Sequence, residues 1–226
     1  MFKPILCGLL LSAMAAQLGA ADNRNHHDLP EVIVQTYNYA GAGQETLGRA
    51  KEEAARIFLE VGIRLSWLDC TPTAQGMVDN PRCHHGGANA VSLMICPEAM
   101  LPKGRLPPGI FGFALMQPGE PARYARLYYH RLAELADGRT VRLSVLLGAM
   151  MAHEIGHLLL GVNSHSHEGI MSIPWDARKL QKVDHGQLGF TAEQASKVQP
   201  EALRRAKLLE DASSASGKTG PMHAGQ

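Results

Sequence analysis

The sequence predicts an α+β domain: a small twisted mixed sheet, a helix backing it, a second and more apolar helix, and a mostly helical C-terminal part. Three observations predict it. First, the β-branched and aromatic run Glu31 to Asn38 is followed by an amphipathic helical pattern from Gln44 to Val61, and then by an alternating run from Ile63 to Leu68. A strand, a helix and a strand with short links read as a parallel pair with a right-handed crossover. Second, the stretch from Val141 to Leu160 has the length and composition of a buried helix, yet holds His153, Glu154 and His157. Third, beyond Phe190 the chain favours helix again, opened by Thr191 with Gln194 three residues later, which is the pattern of a capping box.

Taken in order, residues 1–21 read as a secretory signal. Lys3 gives a basic start, Ile5 to Leu18 is mainly apolar, and Leu18-Gly19-Ala20 offers the small residues a signal peptidase needs. The apolar stretch is short and broken by Ser12 and Gln17, so cleavage is expected rather than anchoring. Removing 21 of 226 residues leaves about 205, enough for one domain, 22–209, with a sizeable core. Residues 210–226 are small and polar and are expected to form a disordered tail. Twenty-two basic residues balance 21 acidic ones, a formal net charge of +1, which gives no reason to expect nucleic acid or an anionic membrane as partner. No later stretch reads as a bilayer span, because Leu143 to Leu160 is interrupted by its three polar residues. A secreted or periplasmic protein, without an integral membrane segment after signal cleavage and monomeric, is the expectation.

In the first helix Leu47, Ala50, Ala54, Ile57, Phe58 and Val61 share one face, and Gly62 ends it. Residues 69–90 are rich in Pro, Gly and Asn and read as a long loop flanked by Cys70 and Cys83. In an exported chain a disulfide between those two is expected, with Cys96 left as a buried thiol; the alternative is a bridge from Cys96 to Cys70 or Cys83. His26-His27 and His84-His85 read as solvated loop pairs, since no ligand spacing accompanies them. Val91 to Cys96 is a third strand, Gly109 to Met116 a further one, and Ala125 to His130 a strand running into a short turn or helix over Leu132 to Ala136. Thr140 is the expected cap of the apolar helix. Asp176 to Val183 reads as a short helix, and Pro200 is expected to interrupt the last one, which resumes to Leu209.

The chemistry lies in His153-Glu154-Ile155-Gly156-His157. Spacing i, i+4 stacks both imidazoles on one helix face, a turn apart, where they can grip one Zn²⁺. Glu154 then projects beside the ion, where a general base for a zinc-activated water belongs. The bland alternative, two histidines and an ion-paired glutamate on an ordinary helix face, is poorly matched to so apolar a helix, where such a cluster is expensive. Gly161 can take positive φ and end the helix, after which the chain can turn back and offer a third ligand. His165 and His167 both have a case. His165 lies nearer Gly161 and leaves five residues before Met171, so it is the one expected, with His167 as second candidate.

Here the sequence resembles the metzincin clan of zinc metallopeptidases, whose signature is H-E-x-x-H-x-x-G-x-x-H followed by a Met-turn. More narrowly it resembles small secreted bacterial proteins with HEIGHLLLG, SHS and GIM in this region. Gly161 lies four residues after His157 where the clan has three, and His165 eight where the clan has six. The resemblance implies a metzincin-like catalytic domain over residues 22–209, with His153, His157 and His165 on zinc, Glu154 as general base and Met171 in the turn beneath. It also implies that Gly112 to Gln117 lie on an antiparallel edge strand that pairs with a peptide or protein substrate. Ile173-Pro174-Trp175 reads equally as a pocket wall or as core packing. The function expected is a secreted zinc metalloendopeptidase. The rivals are a zinc-stabilised non-catalytic binding module, for which His167 would be a fourth ligand, and a zinc amidohydrolase acting on a small amide.

Overall fold

In a computed structural model, residues 29–73, 75–78, 80–83, 90–102, 106–116, 121–138 and 141–216 are described. Residues 1–28, where the signal segment was expected, both histidine pairs, Gln117, Thr140 and residues 217–226 lie outside them.

Five strands form one sheet. In chain order they are β1 (Glu31–Asn38), β2 (Arg64–Asp69), β3 (Val91–Cys96), β4 (Gly112–Leu115) and β5 (Tyr124–Tyr128), and in space they run β2-β1-β3-β5-β4. All pairs are parallel except β4 on β5, which is antiparallel at the sheet's edge. The parallel β1–β2 pair needs a crossover, and α1 (Gln44–Leu59) supplies it. Val32 and Val34 of β1, Val91, Leu93 and Ile95 of β3, and Ala125 and Leu127 of β5 alternate onto one face and are fully buried. Ala50, Ala54, Ile57 and Phe58 of α1 meet them, each with no exposed surface. Burying Ile57 or Phe58 contributes about 1.5–3 kcal/mol apiece.

The apolar stretch forms α3 (Leu143–Leu160), packed against α1 and the sheet. Gly148 permits this. A Cβ there would lie 2.5 Å from Ala50 O and 2.7 Å from Glu53 Cβ, so the two helices touch almost backbone to backbone. By length and composition α3 alone among the described residues matches a bilayer span, but 72% of it is buried inside the fold. It ends at Gly161, φ +80°, whose N–H bonds His157 O at 2.9 Å. Between β5 and α3 the chain forms α2 (Tyr129–Asp137) directly from β5. After α3 come α4 (Ala177–Asp184), capped by Asp176 on Lys179 N, and α5 (Ala192–Ser216).

Three expectations need correction. The N-cap position of α3 is Arg142, not Thr140, and it makes no side-chain cap bond. Arg142 instead bonds Asp184 through its backbone N–H (3.0 Å) and Nε (3.1 Å), tying the start of α3 to the end of α4. Pro200 does not interrupt α5. An interior proline costs about 3 kcal/mol, but Val198, Ala202 and Arg205 on both sides of it are fully buried and hold the helix together. α5 also continues past residue 209 to Ser216, through Glu210, Asp211 and a run of Ala and Ser, into the stretch expected to be disordered.

Cys70 and Cys83 are joined, with Cα atoms 5.6 Å apart and 13 residues of separation, and Cys96 is a buried free thiol. The bridge sits on the sheet face away from the helices, over a small cluster of Ile33, Leu68 and Ala90. Closing a loop of that length stabilises by about 3 kcal/mol in the chain-entropy account. Replacing both cysteines by alanine is expected to lower unfolding free energy by up to that amount in urea titrations. Peptide mapping without reductant should recover the Cys70–Cys83 cross-link with Cys96 alkylatable only after unfolding.

Candidate metal centre

His153 and His157 stand one turn apart on α3, and the chain beyond Gly161 brings His165 onto them. His157 Nε2 lies 3.0 Å from His153 Nε2 and 3.0 Å from His165 Nε2. His167, two residues on, is exposed and lines an adjoining cavity, with Glu193 and Lys197, that meets the site at Ser164 and His165. Among the described residues no fourth His, Cys, Asp or Glu joins the group.

The other ring nitrogens decide what the Nε2 atoms are. His153 Nδ1 lies 2.7 Å from Ile170 O, an acceptor only, so Nδ1 must carry the proton and donate it. His157 Nδ1 lies 2.7 Å from Ser164 Oγ, whose single hydrogen goes to Gly161 O at 2.9 Å. Ser164 therefore accepts, and His157 Nδ1 donates. Both Nε2 atoms are left as bare lone pairs 3.0 Å apart. Burial, chiefly, holds His153 down at about 4 and His157 at about 3, and pushes His165 down as well. At neutral pH no proton is available to bridge the pair, and facing lone pairs need a cation between them. Three converging imidazoles, two of them with the second nitrogen tied to oxygen, are a donor set that fits Zn²⁺, whose tetrahedral ligand nitrogens stand roughly 3.3 Å apart.

Glu154 is 3% exposed beside these ligands. Its Oε2 has no hydrogen-bond partner among the described residues, and burial pushes its carboxyl up to about 8. A cation at the three nitrogens would favour the carboxylate and draw that value back down. Glu154 fits under β4 because residue 112 is glycine: a Cβ there would lie 2.7 Å from Glu154 Oε1 and 2.5 Å from Arg126 O.

Met171 is fully buried against the turn of α3 between the two histidines, and a Cβ on Gly156 would come 2.6 Å from its Sδ. The neighbouring Ile170 supplies the carbonyl that orients His153. These residues open on a cleft of about 840 Å³. Ile110, Phe111, Phe113 and Met116 line one wall, and Ile173, Pro174 and Trp175 the other. The Trp175 ring stands edge-on to His153 at 6.0 Å, so Ile173-Pro174-Trp175 walls the cleft. Arg131 of α2 holds the first wall in place, donating to Pro107 O (3.0 Å), Ile110 O (2.8 Å) and Leu106 O (3.2 Å). β4 borders the cleft and, among the described residues, has β5 on one side only.

Sequence reasoning did not single out Ser164, Arg131 or Gly112's closeness to Glu154. Ser164 directly precedes His165, which was a usable signal. Arg131 reaches the wall only through tertiary packing and left no signal.

Two outcomes are expected. His165→Ala should weaken zinc binding by orders of magnitude in competition with a chelator, while His167→Ala retains one zinc per chain; the reverse ranking would move the ligand role to His167. Gly112→Ala should displace β4 from Glu154 and lower the melting temperature, with backbone overlap costing about 1–3 kcal/mol.

No protein-family model and no curated protein matches the sequence. Among solved structures the chain is similar to a zinc-dependent peptidase from Methanocorpusculum labreanum, at 16% identity and TM-score 0.45, over 73% of this chain and 99% of that one. It is similar also to an archaemetzincin from Methanopyrus kandleri, at 16% identity and TM-score 0.45, over 79% of this chain and 97% of that one.

Proposed function

We propose that the protein is a zinc-dependent peptidase, exported from the cell, in which His153, His157 and His165 hold the ion. The observation that carries the reading is the pair of bare Nε2 lone pairs facing each other at 3.0 Å, with both Nδ1 protons committed elsewhere, beside a buried carboxylate oxygen that has no hydrogen-bond partner among the described residues. When bound, Zn²⁺ supplies Lewis acidity: it polarises a carbonyl and lowers the pKa of a coordinated water to about 7.

The chain's own residues do the rest. Ile170 O and Ser164 Oγ hold the two helical imidazoles in the tautomer that presents Nε2. Glu154 takes a proton from the attacking water as its oxygen adds to the scissile carbonyl carbon, and hands that proton to the amine nitrogen as the C–N bond breaks. Burial pushes its carboxyl up, and a cation at the three nitrogens opposes that by favouring the carboxylate that acts as base. The unpaired edge of β4 offers N–H and C=O groups to an extended substrate backbone, which aligns the peptide along the cleft by strand addition. The apolar walls exclude water and receive side chains.

Two observations favour this reading over its rivals. A closed structural site takes four protein ligands, and here three converge while the exposed His167 stands outside the group among the described residues. A small-amide hydrolase needs no strand edge, whereas this cleft runs beside one.

Glu154→Gln keeps the shape of the side chain and removes the base. It is expected to lower cleavage of a mixed peptide library by about 10²- to 10⁴-fold, with zinc still bound one per chain in native mass spectrometry. Wild-type rates in that variant would rule out Glu154 as the base, and a purified wild type unable to take up zinc would end the metallopeptidase reading altogether.

A further inference from the structure

We infer that Gln194, in the first turn of α5, is a positioning residue for the metal centre. Its side-chain amide clamps the loop that delivers His165, and so sets how tightly the ion is held. The inference rests on the metal-site reading above.

His153 and His157 are fixed by a buried helix, but His165 is on a surface loop that runs from Gly161 to Glu168. Ordering such a loop costs about 1–2 kcal/mol of backbone entropy per residue, so whatever restrains it before the ion arrives raises affinity. The residues flanking His165's exit from the site are held from below. Ser166 N donates to Met171 O at 3.1 Å, and Ser166 Oγ donates to Glu168 O at 2.7 Å. Gln194 Nε2 then donates to both, reaching Ser166 Oγ at 2.8 Å and Glu168 O at 3.0 Å. Gln194 is itself 6% exposed and cannot exchange these bonds for water without moving.

The other end of the same amide closes the capping box of α5. Gln194 Oε1 accepts from Thr191 N at 3.0 Å, and Gln194 N donates to Thr191 Oγ1 at 3.2 Å. One side chain therefore ties the metal loop to a helix start. The fit is close: a Cβ on Gly169, where φ is +70°, would lie 2.7 Å from Gln194 Oε1 and 2.8 Å from Thr191 Cγ2. Both polar ends of the amide are used, one as acceptor and one as donor, and this separates the two roles experimentally. A glutamate serves a capping box as well as a glutamine does, and its charge suits a helix N-terminus. It would, however, place an oxygen where Nε2 now meets Glu168 O, turning a hydrogen bond into a repulsion.

The test measures two quantities on the full exported chain: zinc affinity by chelator competition, and the melting temperature of the metal-free protein. Gln194→Glu is expected to weaken zinc binding by about tenfold to 100-fold with a metal-free melting temperature near that of the wild type. Ser166→Ala, which removes one of the two acceptors at an exposed loop, should weaken binding by a smaller factor. Thr191→Ala, which breaks the cap but leaves both amide donors in place, should lower the melting temperature and leave zinc affinity unchanged. If Gln194→Glu does not fold, Ser166→Ala decides. Wild-type zinc affinity in Gln194→Glu and Ser166→Ala, or affinities that simply follow the melting temperatures across all three variants, would overturn the positioning role. A wild type that binds no zinc would instead overturn the metal site itself.

Discussion

The structure turns on one constraint: polar ligands set into a helix that is buried on nearly every side. Thirteen of the eighteen residues of α3 are buried, and His153 and Glu154 are among them. Uncompensated polar groups at such a depth cost several kcal/mol, so each must find a partner or an ion. Ile170 O answers for one ring nitrogen, Ser164 Oγ for another, and the bare Nε2 atoms converge where a cation could be held. Much of what lies after Gly161 serves this end. The chain turns back so that Ile170, Met171 and Ser164 pack against the face of α3 that carries the histidines.

Glycines set the distances. At Gly148 the absence of a side chain lets α3 rest on the backbone of α1, at Gly156 it admits Met171, and at Gly112 it makes room for Glu154 under β4. Three close approaches on two elements thus decide how far the carboxylate stands from the edge strand, and hence from any backbone laid along that edge. The far end of the helix is secured differently. Arg205 of α5 has no exposed surface, donates to Leu158 O at 3.2 Å and Ala122 O at 2.8 Å, and pairs with Glu201. It satisfies a carbonyl in the last turn of α3, where a cation also suits the helix dipole. In this way α5, the most distant element in sequence, supports both ends of the metal site: the loop through Gln194 and the helix terminus through Arg205.

Local pattern by itself determined much. β-Branched and apolar runs placed β1 and β3, period-two alternation placed β2, the 3.6-residue period placed α1, and an apolar run ending in glycine placed α3 to within a residue or two. The i, i+4 histidines with an intervening glutamate marked the chemistry, because helix geometry makes that spacing one face whatever the fold around it. The helix start at Thr191 was legible for the same reason: a capping box is a local bond pattern. What local pattern could not decide was anything resolved by groups far apart in sequence. Pro200 reads as a break, yet burial on both sides outweighs its cost. Thr140 reads as a cap, yet Asp184 takes the first turn's donor instead. Both His165 and His167 are admissible ligands on spacing, and only the path of the loop, held to Met171 and to Gln194, turns one inward and leaves the other in solvent. That Gln194 serves the metal loop at all was beyond the sequence, because a side chain has two ends and the capping pattern accounts for one. The other end's partners, Ser166 and Glu168, are brought to it by tertiary packing alone.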